Sequence, residues 1–169
     1  FKTIWYDQTS DNVQIIDQTK LPFYLEVVSL QNLNDVLIAI KDMKVRGAPL
    51  IGATAAFGIY LACKEDNSIE RINEAAIKIK KTRPTAVNLF WAVDRMVSKL
   101  NSNKTIKYNK DVLLEEAKKI CKEDIEKCKK IGQNGLSLIK KVASKKSEVN
   151  ILTHCNAGWL ATVDWGTAT

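Results

Sequence analysis

The stretch Ala48–Cys63 constrains this chain more than any other. It is the longest weakly polar run in the sequence, yet it falls well short of the roughly 20 residues a membrane-spanning helix needs. A segment of this kind has to be covered by the rest of its own chain. Gly52, Ala53, Ala55, Ala56 and Gly58 are small and let another helix or a ligand approach the backbone closely, so the middle of the segment is expected to be buried. At 169 residues, 46% of them hydrophobic, the chain can build such a core. That length fits one full domain plus part of another.

On either side of this segment the hydrophobic period divides the chain. Three β-prone runs come first, Thr3 to Tyr6, Val13 to Ile16 and Phe23 to Leu30, separated by turn-rich residues and by Pro22; they predict a small antiparallel sheet. From Asn32 the period becomes helical, with Leu33, Val36, Leu37, Ile40 and Met43 on one face. Further helices are expected at Pro49 to Cys63, Ser68 to Lys81, Thr85 to Leu100 and Asp111 to Lys145, the last with possible breaks at Gly132 and Gly135. Residues 1–146 thus form an α+β domain. Val149 to Leu152 then reads as a strand, Thr153 to Gly158 as a loop, and Trp159 onward as a helix opening, the first step of a parallel α/β domain over 147–169. Parallel strands are normally covered on both faces, so the sequence is expected to continue into a second half.

Charge and cysteines narrow the function classes. The formal net charge is +7, from 26 Lys plus Arg against 19 Asp plus Glu. The lysines between Lys110 and Lys146 alternate with Glu115, Glu116, Glu123, Asp124 and Glu126, the pattern of a solvated helix face, and no aromatic residue is set among them for base stacking. No nucleic-acid partner is expected. Cys63, Cys121, Cys128 and Cys155 lack paired metal-ligand spacing and one histidine cannot complete a zinc cluster, so no metal is expected. Cys121 and Cys128 lie seven apart on one helix face, as core residues do. Phe1 to Asp7 has no basic region followed by an apolar stretch, so a cytoplasmic location without a membrane partner is expected.

Three places can carry chemistry. In Val45-Arg46-Gly47-Ala48-Pro49, Gly47 can take the left-handed turn that ends one helix while Pro49 starts the next. A helix N-terminus beside an arginine suits phosphate oxygens; the same arrangement also serves as a plain interhelical turn. Thr82-Arg83-Pro84-Thr85 repeats the device, with the same two readings. The third place is His154-Cys155-Asn156-Ala157-Gly158, at the carboxyl end of the expected strand, where open α/β sheets place ligands. Cys155 there is a base, a nucleophile, a polar stabiliser or an inert core thiol. His154 is the single histidine, and a lone histidine is more often structural than catalytic.

Taken in order, Val45-Arg46-Gly47-Ala48-Pro49, Thr82-Arg83-Pro84-Thr85-Ala86-Val87-Asn88-Leu89 and Leu152-Thr153-His154-Cys155-Asn156-Ala157-Gly158 resemble the methylthioribose-1-phosphate isomerase family. Ile16-Asp17-Gln18-Thr19-Lys20-Leu21-Pro22 resembles its N-terminal hairpin region. The resemblance implies an initiation factor 2B-like fold, with a sheet-plus-helical N-terminal domain and then a Rossmann-like domain, as a cytoplasmic homodimer without organic cofactor. It implies an aldose-ketose isomerase of methionine salvage that turns 5-methylthioribose-1-phosphate into the corresponding ribulose phosphate. Arg46, Gly47, Ala48 and Arg83 are then expected to bind the phosphorylated pentose, and Cys155 to be catalytic. An aspartate proton donor and further ligands are expected beyond Thr169, so residues 1–169 alone are expected to be inactive. A 5-deoxyribose-1-phosphate isomerase and a non-catalytic metabolite-sensing regulator share the fold. Trp159, directly after the cysteine motif, is a candidate for narrowing the sugar pocket.

Overall fold

The computed structural model describes residues 1–102 and 109–168. Three short strands, β1 (Ile4–Asp7), β2 (Asn12–Ile16) and β3 (Val27–Leu30), form an antiparallel sheet in the order β1-β2-β3. Ile4 faces Ile15 and Val13 faces Leu30 across the ladders. All four side chains are buried, because the period-two alternation puts them on one face of the sheet.

The third strand is shorter than the run Phe23 to Leu30 predicts. The Asp17 amide still bonds the Glu26 carbonyl, but Asp17 Oδ1 then accepts from both the amide and the hydroxyl of Thr19, which ends the ladder. The Tyr24 amide closes a turn on the Lys20 carbonyl. Phe23, Tyr24 and Leu25 are consequently exposed rather than paired.

Five helices follow: α1 (Leu33–Lys41), α2 (Ala48–Glu65), α3 (Ile69–Thr82), α4 (Val87–Ser102) and α5 (Asn109–Ala143). Asn32 caps α1 by accepting from the Asp35 amide, and Ser68 caps α3 from the Arg71 amide. Every residue from Leu50 to Cys63 is buried, so α2 is the axis around which the sheet and the other helices pack. Its small residues allow this. At Gly52 an added Cβ would lie 3.1 Å from the Asn88 carbonyl oxygen, so α2 and α4 meet there backbone to backbone.

The helix α5 runs through Gly132 and Gly135 without a break. Up to Cys128 it contributes Leu113, Ala117, Ile120 and Cys128 to the buried set, whereas Ile131, Leu138 and Val142 beyond are exposed. Cys128 is buried as expected, and Cys121 packs half-buried against the main hydrophobic cluster. Burial pushes the Cys121 thiol up to about 12, and pushes those of Cys63 and Cys128 up as well. None of the three is poised as a nucleophile.

A charged network joins α4 to α5. Arg95 makes a paired contact with Glu123 at 2.6 and 2.9 Å and reaches Glu116 at 2.6 Å. Glu116 is only 6% exposed. Replacing Arg95 with methionine would leave that carboxylate without its guanidinium, next to Lys99 alone at 3.3 Å. We expect a loss of about 2 kcal/mol in urea denaturation, below the range for a fully buried pair because Arg95 retains contact with water. An unchanged denaturation midpoint would show the network to be solvated.

The segment after α5 departs from expectation. Val149–Leu152 pairs with no strand, since a strand needs a neighbour and none of the described residues lies alongside it; Ile151 and Leu152 are exposed. The helix predicted from Trp159 is a single 3-10 turn, Trp159–Ala161. The chain instead runs extended through Thr162 and docks against Thr3, Gln18 and Asp124. No helix among the described residues is long and apolar enough to cross a membrane.

Candidate functional site

The turn between α1 and α2 is built differently from its sequence reading. The left-handed residue that ends α1 is Met43 (φ 58°), after Asp42 has closed the helix on the Ile38 carbonyl. Gly47 is the N-cap of α2, at φ 99° and ψ 135°. The first α2 bond runs from the Ile51 amide to the Gly47 carbonyl at 2.9 Å. No side chain caps this helix, and Pro49 occupies its first turn. Arg46, directly before this N-cap, is exposed, beside the positive end of the α2 dipole.

Arg83 is the C-cap of α3 and is half-buried. A tight turn over Arg83–Ala86, closed by the Ala86 amide on the Arg83 carbonyl at 3.0 Å, delays α4 until Val87. Pro84 thus lies in the turn, three residues ahead of the first helical position. The residue before a proline is held extended, which is why Arg83 leaves the helix there.

Cys155 lies in the left-handed region at φ 70° and is exposed, as is His154. It is the one free thiol among the four cysteines that is exposed. Gly158, at φ 84°, turns the chain into the 3-10 turn. The Trp159 indole Nε1 donates to the Phe1 carbonyl at 2.5 Å.

The structure connects these segments through backbone contacts. A Cβ added at Gly47 would lie 2.3 Å from the Ala161 carbonyl oxygen, so the start of α2 abuts the 3-10 turn that follows the cysteine motif. The Gly52–Asn88 contact brings the start of α4 to the same helix one turn further on. A cleft of about 180 Å³ lies at this junction, lined by Pro49, Gly52, Asn88, Asp124, Cys128 and Thr167 among others. Arg46, Arg83 and Cys155 themselves do not line it.

Sequence reading missed the strap that holds the third segment down. The Thr3 amide donates to the Val163 carbonyl at 2.9 Å and the Thr3 hydroxyl to the Thr162 carbonyl at 2.5 Å. The Val163 amide donates to Asp124 Oδ2 at 2.8 Å, and Gln18 Nε2 donates to the Leu160 carbonyl at 2.7 Å. Burial holds the Asp124 carboxyl above its ordinary value. Thr3 and Gln18 are buried polar residues with partners far along the chain, a relation that hydrophobic periodicity does not encode. No group of three or more His, Cys, Asp or Glu side chains suited to a metal ion occurs among the described residues.

Comparison with known proteins gives a consistent result. The sequence profile described as the Initiation factor 2 subunit family matches residues 44–163. The chain is 48% identical to a methylthioribose-1-phosphate isomerase of Methylorubrum extorquens and 50% identical to that of Escherichia coli, over 99% of this chain and 46% of each relative. Among solved structures, the Pyrococcus horikoshii 5-methylthioribose 1-phosphate isomerase superposes with a TM-score of 0.82 at 38% identity, covering 98% of this chain and 46% of that one. The translation initiation factor eIF-2B subunit delta from A. fulgidus superposes with a TM-score of 0.83 at 40% identity, covering 98% and 48%. The chain spans about half the length of the relatives it matches.

Proposed function

Given that the chain belongs to the Initiation factor 2 subunit family, we propose that it is the N-terminal part of an aldose-ketose isomerase that converts 5-methylthioribose-1-phosphate to 5-methylthioribulose-1-phosphate in methionine salvage. One observation carries this reading: relatives of that name match it at 48–50% identity across 99% of its residues, a span that includes all three candidate segments. In this reading residues 147–169 lead into a Rossmann-like domain, and the complete protein is a cytoplasmic homodimer without metal, organic cofactor or nucleic-acid partner.

The chemistry assigns each group a task. Phosphate on the anomeric oxygen blocks the ordinary route to a free aldehyde, so the sugar ring is opened by an acid while hydrogen moves from carbon 2 to carbon 1. An anion gripped by Arg46 and by the free amides around Gly47 and Ala48, with Arg83 on a second side, fixes the substrate for that transfer. Cys155 handles the proton at one step, and an aspartate from the second half of the protein supplies the acid. Residues 1–169 alone are expected to show no turnover.

The test is direct conversion by the full-length protein, followed by NMR of the sugar carbons. We expect the aldose-1-phosphate to give its ketose isomer with no added metal. The similarity to an initiation-factor subunit supports a second reading, a non-catalytic metabolite-sensing regulator; ligand binding without conversion would establish it. A preference for the 5-deoxy sugar in the same assay would move the substrate, not the reaction class.

A further inference from the structure

The pair Asp17-Gln18 takes no part in the chemistry above, yet both residues are buried polar side chains. Asp17 is 2% exposed and Gln18 3%. Gln18 has two long-range bonds. Its backbone amide donates to the Lys44 carbonyl at 2.9 Å, two residues before Arg46. Its side-chain amide donates to the Leu160 carbonyl at 2.7 Å, in the turn that follows the Cys155 motif. One residue therefore holds both chain segments that carry the candidate anion site and the candidate thiol.

The neighbours of Gln18 make it rigid. Asp17 anchors to Thr19 through its amide and hydroxyl and pairs with Lys44 Nζ at 3.7 Å. On the far side, Thr3 and Asp124 fasten Thr162 and Val163. Between the two fastenings, Gly47 and Ala161 pack too closely for a Cβ at position 47. Without the Gln18 bond, the Leu160 carbonyl loses this side-chain donor, and Gly158 and the exposed Cys155 loop are freer to move relative to Arg46.

We propose that Gln18 is a positioning residue that sets the separation between the Arg46 turn and the Cys155 loop. This rests on the isomerase reading, in which both segments meet one substrate. A group acting through geometry should affect the chemical step more than binding, because displacement of a reacting group by about 1 Å can cost about a hundredfold in rate.

The experiment uses the full-length protein with Gln18→Met, which keeps the side chain's length and removes its donor. Thr54→Val is the comparison: it deletes a buried hydroxyl bond of 2.8 Å to the Leu50 carbonyl inside α2, a similar loss of hydrogen bonding with no link between the segments. We expect Gln18→Met to lower kcat at least about tenfold, to leave KM within about threefold, and to shift the melting temperature no more than Thr54→Val does, while Thr54→Val keeps its rate. Equal effects of the two variants on kcat would overturn the proposal. A second measurement needs no turnover. Inorganic phosphate at the Arg46 turn should slow alkylation of Cys155 by iodoacetamide, followed by peptide mapping, and Gln18→Met should remove that slowing. Slowing that persists in the variant, or is missing in the parent, refutes the role of Gln18. A parent protein that fails to convert substrate but shows Gln18-dependent slowing refutes the isomerase reading and retains this one.

Discussion

In the isomerase reading, Gly47→Ala in the full-length protein is expected to lower stability by about 2–6 kcal/mol and to remove most of its activity. Two independent costs produce this figure. At φ 99° an L side chain is strained whatever space surrounds it, a cost of about 1–3 kcal/mol. The new Cβ would also lie 2.3 to 2.6 Å from the carbonyl oxygen, Cα and Cβ of Ala161. These are mainly backbone atoms, held by the Gln18, Thr3 and Asp124 bonds, so the strap cannot yield cheaply and overpacking adds about 1–3 kcal/mol. If the strap shifts to relieve the overlap, the Cys155 loop shifts with it. The same substitution at Gly135 gives an internal control. Nothing lies within 4 Å of a Cβ added there, the position is helical, and Gly135→Ala should stabilise by about 0.5–1 kcal/mol. Urea denaturation of both variants measures the contrast, and effects of the same sign would show that the Gly47–Ala161 approach does not govern the fold.

In the isomerase reading, Cys155→Ser in the full-length protein is expected to lower kcat by about 10²–10⁴-fold, the usual contribution of a positioned acid-base group. Because Cys155 is exposed and makes no core contact, the melting temperature should stay within a degree or so of the parent. The hydroxyl is nearly isosteric but far less acidic than a thiol, so the KM for substrate should change little while the proton-transfer step fails. The same substitution at Cys63 or Cys128, both buried, should reverse the pattern, with altered stability and unaltered rate. A Cys155→Ser protein working at the parent rate would remove this residue from the mechanism.

Much of the helical architecture was legible from the apolar period. The spacing of Leu33, Val36 and Ile40, the weakly polar Ala48–Cys63 and the shared face of Cys121 and Cys128 all specify which sides turn inward, because burial is paid in apolar area and the 3.6-residue repeat is local. The candidate segments were legible as well, since Arg-Gly-Ala-Pro and His-Cys-Asn-Ala-Gly are short patterns of residue type. Errors arose where a residue's conformation depends on a distant partner. Asp17 turning back onto Thr19 ended a strand that Phe23 to Leu30 would otherwise have begun early. Met43, not Gly47, took the left-handed end of α1. Val149–Leu152 has the composition of a strand, but composition cannot supply the neighbouring strand it needs.

By itself, then, the amino-acid order determined where the helices between Leu33 and Ala143 form and which face of each is buried. Only the tertiary structure decided that Gly47 must have no side chain, that Gln18 spans from Lys44 to Leu160, and that Thr3 and Asp124 secure the chain 160 and 39 residues away at Val163. The physical reason is range. Periodicity and capping act over a few residues, whereas a steric slot or a buried hydrogen bond exists only once two remote stretches of backbone have been packed side by side.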